Sequence, residues 1–264
     1  MTAAPGARPL PRLIGMVHLA PLPGSPGYGG SIDVVVDQAV ADARALTAAG
    51  FPALMVENFG DAPFHPETVP PITVAAVTRA AAAIRQATAV PLGINVLRND
   101  GLAAISIAAA CGAGFVRVNV LSGTMYADQG PIVGRAADIT RLRASLAPDL
   151  TIMADVFVKH AVPPPGLTLE QATADLWERG GADAVVVSGA GTGRAVDLDD
   201  LRRVRAAAPE APIVVGSGAT PDTLSALFEL SDAIIVGTAL KEGGRVTSRV
   251  DPARAASFVT AAGL

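Results

Sequence analysis

The chain uses lysine and histidine sparingly, although both residue types are common carriers of protons and charge. Its twenty basic residues include two lysines, Lys159 and Lys241, and it has three histidines, His18, His65 and His160. Each of these five residues ends or closely follows a short apolar run of the kind that forms a buried strand. The predicted helices carry arginine and no lysine, so lysine does not serve here as a general surface charge. This placement favours a cluster of functional groups.

Carboxylates, amides and one arginine occur at the same kind of position. Glu57 and Asn58 end the second predicted strand, Asn95 ends the third, and Asp155 lies near the end of the fifth. On the fourth, Arg117 and Asn119 lie on one face with Phe115, because successive side chains alternate. Val116, Val118 and Val120 lie on the other face, where we expect them to pack against helices.

Two interpretations of these polar residues remain open. In the first, Asp155, Glu57, His18 and Lys159 carry protons in a reaction, and the polar side chains around them bind the substrate. These predicted substrate-binding residues are Asn58, Asn95, Arg117, Asn119 and His160. In the second, Arg117 pairs with Asp155 or Glu57 only to brace the fold, because a charge buried without a partner is costly.

Three further strands end in corners rich in glycine and hydroxyl groups. The corner residues are Ser188, Gly189, Thr192, Gly193, Gly216, Ser217, Gly218, Gly237 and Thr238. Glycine lets backbone N–H groups approach an anion closely, and adjacent loops of this kind commonly hold phosphate. Lys241 would add a compensating charge. The corners are also compatible with simple tight turns.

Short apolar runs alternate with longer alanine-rich helical segments eight times along the 264 residues. The strands are almost continuously apolar, which is typical of parallel strands covered on both faces. Eight such units predict an α/β protein with a single (β/α)8 TIM barrel, in which the strand C-terminal ends carry the active site. We expect one domain over residues 1–264, with residues 1–11 as a flexible N-terminal segment.

Composition narrows the range of partners. The net charge is −4, aromatic residues make up 4%, and no basic run stands out, so no nucleic-acid partner is predicted. The single cysteine, Cys111, excludes an internal disulfide. The sequence lacks a secretory signal and an uninterrupted apolar run long enough to span a membrane, so we expect no membrane insertion and a cytoplasmic protein. No closely spaced metal-ligand motif is present, and a homo-oligomer is expected.

Several linked motifs resemble those of the BtpA family from about Leu13 onward. They are IGMVHLAPLPGSPGY, LMVENFGDAPF, GINVLRNDGLAAISIAAACGAGFVRVNVLSG, ADVFVKHA, VVSGAGTG and VGSGAT followed by AIIVGTALK. The resemblance implies a phosphate-binding barrel, in which the loop at Met125–Asp138 covers the end of the fourth strand. The family takes its name from a protein implicated in photosystem I accumulation.

The residues and the resemblance together predict an enzyme that acts on a small phosphorylated sugar or nucleotide-derived metabolite. Acid–base chemistry at the barrel mouth would serve a lyase, an isomerase or an enzyme that cleaves or transfers a glycosyl bond. A Schiff base on Lys159 is a less favoured variant. A bound phosphate or phosphorylated ligand is the only non-protein group predicted. The alternative is a non-catalytic assembly or stability factor for a membrane complex such as photosystem I.

Overall fold

The computed structural model describes residues 10–189, 191 and 194–264. Over this part of the chain, eleven strands form: β1 (Leu13–His18), β2 (Ala53–Glu57), β3 (Leu92–Asn95), β4 (Phe115–Val118), β5 (Thr124–Ala127), β6 (Gly130–Val133), β7 (Thr151–Asp155), β8 (Ala161–Val162), β9 (Ala184–Val187), β10 (Ile213–Val215) and β11 (Ala233–Val236). The α-helices are α1 (Ile32–Ala48), α2 (Pro71–Ala87), α3 (Gly101–Cys111), α4 (Ala136–Leu146), α5 (Leu169–Ala174), α6 (Leu198–Ala207), α7 (Leu224–Phe228) and α8 (Pro252–Ala261).

Eight of these strands close into a parallel barrel, which confirms the predicted fold. Their order around the barrel is β1-β11-β10-β9-β7-β4-β3-β2, with β2 paired to β1. All eight strands therefore present their carboxyl ends at one rim, so residues that end different strands come together.

Side chains fill the barrel interior, so the lower part is a packed core rather than a pore. Phe115 points inward with Met153 and Val186, whereas Val116 and Val118 pack outward against helices, as the alternation on β4 predicts. Gly93 on β3 leaves room for the Phe115 ring, since a Cβ at Gly93 would overlap it.

Local signals in the sequence fix several helix ends. The Ser31 side chain accepts a hydrogen bond from the backbone N–H of Val34 at the start of α1. Thr168 and Gln171 form the predicted capping box of α5. The helix predicted to follow this box differs from expectation, because it changes after Ala174 into a π-helical turn at Asp175–Arg179.

A small antiparallel sheet of β5, β6 and β8 covers one side of the barrel rim; we call it the lid sheet. The segment at Met125–Asp138, which was expected to be a covering loop, therefore contributes to the β-hairpin of β5 and β6. Val120 packs beneath this sheet with Met125, Ile132 and Val158. The expectation that Val120 packs against helices is therefore wrong, because β4 ends at Val118 and the chain turns under the lid sheet. In the described part of the chain, no helix is long and apolar enough to cross a membrane.

Candidate functional site

A cavity of about 230 Å³ opens at the carboxyl ends of the barrel strands. We call it the mouth cavity. Predicted site residues from six strands or the loops after them contribute to its lining: His18, Glu57, Arg117, Lys159, Gly216, Ser217, Gly218, Gly237 and Thr238. Segments that are far apart in the sequence therefore meet at one concave site.

Arg117, which lines the mouth cavity, forms a buried ion pair with Asp155 behind it. The Arg117 Nε and Nη2 atoms donate to the two carboxylate oxygens of Asp155 at 2.8 and 2.7 Å, and both side chains are almost fully buried. Ser188 Oγ lies 3.2 Å from both Arg117 Nη2 and Asp155 Oδ1, and Asn119 Nδ2 donates to Asp155 Oδ2 at 3.4 Å. Because both of its oxygens are occupied, Asp155 is better suited to positioning Arg117 than to carrying a proton.

The other ionisable groups of the cavity are less tightly engaged. His18 Nε2 lies 3.6 Å from Glu57 Oε1, which is longer than a strong hydrogen bond. The His18 ring packs against Phe59 at a centroid distance of 4.9 Å. Lys159 enters from the loop after β7 and lines the same cavity. Glu57, His18 and Lys159 are therefore the groups with room to interact with a ligand.

Burial shifts the proton affinities of these three groups. Desolvation raises the pKa of Glu57, although the charges of Lys159, Arg117 and Arg98 oppose this rise. Desolvation, with the charge of Arg117, lowers the pKa of Lys159. Desolvation also lowers the pKa of His18 well below its usual value, assisted by Lys241 and Lys159. An acid and an amine whose pKa values move towards neutrality are suited to exchange protons.

The raised pKa of Glu57 leads to a stability test. Between the ordinary carboxyl pKa and the raised native value, the native protein holds a proton that the unfolded chain has lost, so stability falls as pH rises. Glu57→Gln removes this penalty. We expect the variant to be more stable than wild type at pH 7 by about 1 kcal/mol, a usual size for substitutions at sites kept for function. Urea unfolding at pH 7 and pH 4 measures the difference, which should shrink at pH 4.

Glu67→Gln, on an exposed loop, serves as the control for the substitution itself. If wild type were the more stable protein at pH 7, the surrounding cations would outweigh desolvation and Glu57 would be a structural carboxylate.

The predicted amide ligands mainly hold the backbone of the rim. The Asn58 side chain accepts from the Leu97 N–H at 2.7 Å and donates to the Leu97 carbonyl at 3.3 Å. Asn95 Nδ2 donates to the Arg117 carbonyl at 2.9 Å and to Asn119 Oδ1 at 3.0 Å. All three asparagines are buried. They fix the ends of β2, β3 and β4 relative to one another.

The glycine corners differ in what they contact. Gly216 packs against Ser188 and Arg117, so a Cβ there would meet Ser188 Oγ and come within 3.1 Å of Arg117 Nη2. Gly218 packs against the backbone at Arg194, as does Gly189. Gly216 and Gly218 therefore serve close packing within the protein as well as lining the mouth cavity.

Gly237 and Ser217, in the same corners, also line the mouth cavity. Gly237 lies against His18, with a Cβ position 3.0 Å from His18 Cε1. Ser217 Oγ is buried and has no hydrogen-bond partner in the described part of the chain. A buried hydroxyl of this kind needs a partner, which a ligand or water supplies.

The structure does not bring every predicted residue into the cavity. The Lys241 ammonium donates to Asp42 Oδ2 on α1 at 2.9 Å, and Asp42 also accepts from Arg249 at 2.9 Å. Lys241 therefore anchors the segment after β11 instead of lining the mouth. His160 and His65 are exposed, and neither lines the mouth cavity. The predictions for Thr192 and Gly193 lie outside the described residues.

Sequence reasoning missed Arg98 and Phe59. Arg98 follows β3, is buried, and donates through Nη2 to the Lys159 carbonyl at 2.6 Å, so it fixes the backbone that carries Lys159. Its position directly after an apolar strand was the available signal. That signal is weak because arginine is abundant in this chain.

Eight parallel strands in a closed barrel, with ionisable groups at their carboxyl ends, define this chain as a (β/α)8 TIM-barrel protein. Its fold is similar to that of thiamine phosphate pyrophosphorylase from Pyrococcus furiosus, with a TM-score of 0.59, 14% identity and 96% of each chain covered. It is also similar to phosphoribosyl anthranilate isomerase from Thermus thermophilus, with a TM-score of 0.57, 12% identity, and 96% and 98% covered. These likenesses show the fold alone.

The chain belongs to the BtpA family, whose model matches residues 10–263. An uncharacterized protein of Thermococcus kodakarensis is 51% identical over 94% of this chain and 93% of its own length. The photosystem I biogenesis protein BtpA of Synechocystis is 43% identical over 94% of this chain and 87% of its own length. The resemblance inferred from the sequence motifs is thereby confirmed.

Proposed function

We propose that this protein is an enzyme that acts on a small phosphorylated sugar or nucleotide-derived metabolite by acid–base chemistry in the mouth cavity. The observation that carries the proposal is the combination in one cavity of two kinds of group. Glu57 and Lys159 have pKa values displaced by burial, the first raised and the second lowered. The rim at Gly216, Ser217, Gly218 and Gly237 supplies small residues and an unpartnered hydroxyl.

In this proposal the phosphate group lies against the corners after β10 and β11. The phosphate lies against the backbone of these corners, which glycine leaves open to close approach, and Ser217 Oγ donates a hydrogen bond to it. Arg117 lines the cavity, and its Nη1, which donates to the Gly216 carbonyl at a long 3.4 Å, holds a substrate oxygen. Asp155 acts through Arg117 as a positioning residue, which replaces the proton-carrying role considered from the sequence.

The reacting part of the substrate then lies beside Glu57. Its carboxyl group, whose pKa is raised by desolvation, gives or takes the proton, and Lys159 supplies the neighbouring cation that stabilises the ionised form. The neutral imidazole of His18 accepts or donates a hydrogen bond at the same place. Two proteins of similar fold, thiamine phosphate pyrophosphorylase and phosphoribosyl anthranilate isomerase, are named for phosphorylated compounds. These names are consistent with a phosphate ligand and do not identify it.

A thermal-shift titration with inorganic phosphate tests the anion site. We expect phosphate to raise the unfolding temperature of the wild-type protein, with a stabilisation of about 2.7 kcal/mol at a hundred times the dissociation constant. Gly237→Asp should abolish the shift because it places a negative charge beside His18. Gly237→Ala controls for the loss of glycine, and sugar phosphates and nucleotides at equal concentration rank the substrate classes.

A second candidate is a non-catalytic assembly factor, and one observation favours it. The outer face of the lid sheet exposes Tyr126, Val133 and Val162, which are 51%, 47% and 65% exposed. Tyr126 lies directly opposite Val162, so these side chains form a small apolar patch. The 43% identical Synechocystis relative is named for photosystem I biogenesis. A protein that gains no stability from any phosphorylated compound would favour this candidate over the enzyme.

A further inference from the structure

A second cavity, of about 390 Å³, lies beside the mouth cavity. It is enclosed by the ends of β4 and β7, the lid sheet, and α5 with the π-helical turn that follows it. Among the described residues, the two cavities have no lining residue in common. They are nevertheless adjacent, because Asp155 lines the second cavity and its partner Arg117 lines the mouth.

The walls of this second cavity are mainly apolar. Met125 approaches from the lid sheet, Leu176 from the π-helical turn, and Phe157 from the loop after β7. Asn119 lines the base of the cavity, and Asp155 contributes its backbone there, because its side chain is fully buried against Arg117. An apolar cavity of this size with a few fixed polar groups has the usual character of a small-molecule site.

Two backbone features of the walls are uncommon in ordinary packing. Phe157 has a φ of +50°, a left-handed conformation that is rare for a bulky side chain. The π-helical turn at Asp175–Arg179 forms the opposite wall. Conformations of both kinds concentrate at ligand-binding sites, where the surrounding structure maintains them.

The rim of the second cavity presents two opposite charges. Asp175 and Arg179 both line it, are exposed, and lie four residues apart on one face of the turn. Neither forms an ion pair with any other described residue. A ligand that carries an ammonium group close to a carboxylate would match the charges of both Asp175 and Arg179.

We infer that the second cavity binds a small molecule with an apolar or aromatic body and a zwitterionic end, which is the chemistry of a large apolar amino acid. The body occupies the space between Met125, Phe157 and Leu176. The carboxylate meets Arg179, and the ammonium group meets Asp175. This site is independent of the phosphate site proposed above, so either proposal can fail without the other.

The test is a calorimetric titration of the folded protein with L-phenylalanine. We expect saturable binding to wild type. We expect a loss of affinity of at least about tenfold, or 1.4 kcal/mol, in Ala172→Phe, which fills the cavity. Ala136→Phe fills the cavity from α4, so the test survives if one of these variants fails to fold. Ala137→Phe is the matched control, because Ala137 adjoins Ala136 on α4, is exposed and does not line the cavity.

The charged end is tested with Arg179→Met and with 3-phenylpropionate, which lacks the ammonium group. Both changes should weaken binding by about tenfold. An absence of phenylalanine binding, or binding that neither cavity-filling variant weakens, overturns the inference. Equal affinity for 3-phenylpropionate overturns the assignment of a zwitterionic ligand.

Discussion

Asp155→Asn is expected to lower the free energy of unfolding by about 3–5 kcal/mol, because it leaves the Arg117 guanidinium buried without its counter-charge. The amide also offers only one acceptor where Arg117 now meets two carboxylate oxygens. Urea unfolding at pH 7 measures the change. The matched control is Asp138→Asn, which breaks the exposed pair with Arg135 and should cost less than about 1 kcal/mol.

The double variant Arg117→Met/Asp155→Leu separates bracing from function. Replacing both charges by apolar side chains is often nearly neutral for stability, so we expect it to recover most of the loss caused by Asp155→Asn. Phosphate binding at the mouth should remain weak, since Arg117 lines that cavity. A double variant with both stability and phosphate affinity restored would mean that the pair only braces the barrel. An Asp155→Asn protein as stable as wild type would contradict the cost assigned to the unpaired Arg117 charge.

Gly218→Ala should destabilise the protein by about 3 kcal/mol, for two separable reasons. The residue has a φ of +80°, where any side chain is strained, and a Cβ there would overlap the carbonyl of Arg194. Backbone on both sides must move to relieve this overlap. Gly112→Ala isolates the first reason, because Gly112 has a φ of +65° and nothing within 4 Å of its Cβ position.

The control should lose only about 1 kcal/mol, the usual cost of the left-handed conformation. Equal losses of unfolding free energy in the two variants would show that the backbone after β10 adjusts at little cost. The close packing of Gly218 against Arg194 would then contribute little to stability. A larger loss in Gly218→Ala, measured by urea unfolding, would show that the glycine is required by the protein's own packing. Phosphate titration of the same variants then shows whether the corner's shape also governs anion binding.

The barrel itself could be predicted from local patterns. Eight alternations of strand and helix, the facing of Phe115 and Arg117, the cap at Ser31 and the capping box at Thr168 are each determined by residues within a few positions of one another. Such short-range patterns can be read from a sequence, because the interactions that produce them also join residues only a few positions apart.

The π-helical turn was not predicted, and neither was the lid sheet, which arises from contacts between segments. Tyr126 pairs with Val162, which is 36 positions away in the sequence, and no short sequence pattern predicts such a pairing. The same holds for Lys241, whose place after a strand suggested a ligand contact. Only its approach to Asp42, 199 residues away, made it an anchor.

The sequence by itself determined which residues end the strands, and parallel closure then brought those residues to a single rim. It left open which of them would be free to meet a ligand. The tertiary structure decided that, because a buried polar group is taken up by whatever partner lies within hydrogen-bond reach. Asp155, Asn58 and the Asn95 amide nitrogen found protein partners among the described residues, whereas Ser217 Oγ and Asn95 Oδ1 did not. Glu57 and Lys159 kept their place in the cavity lining.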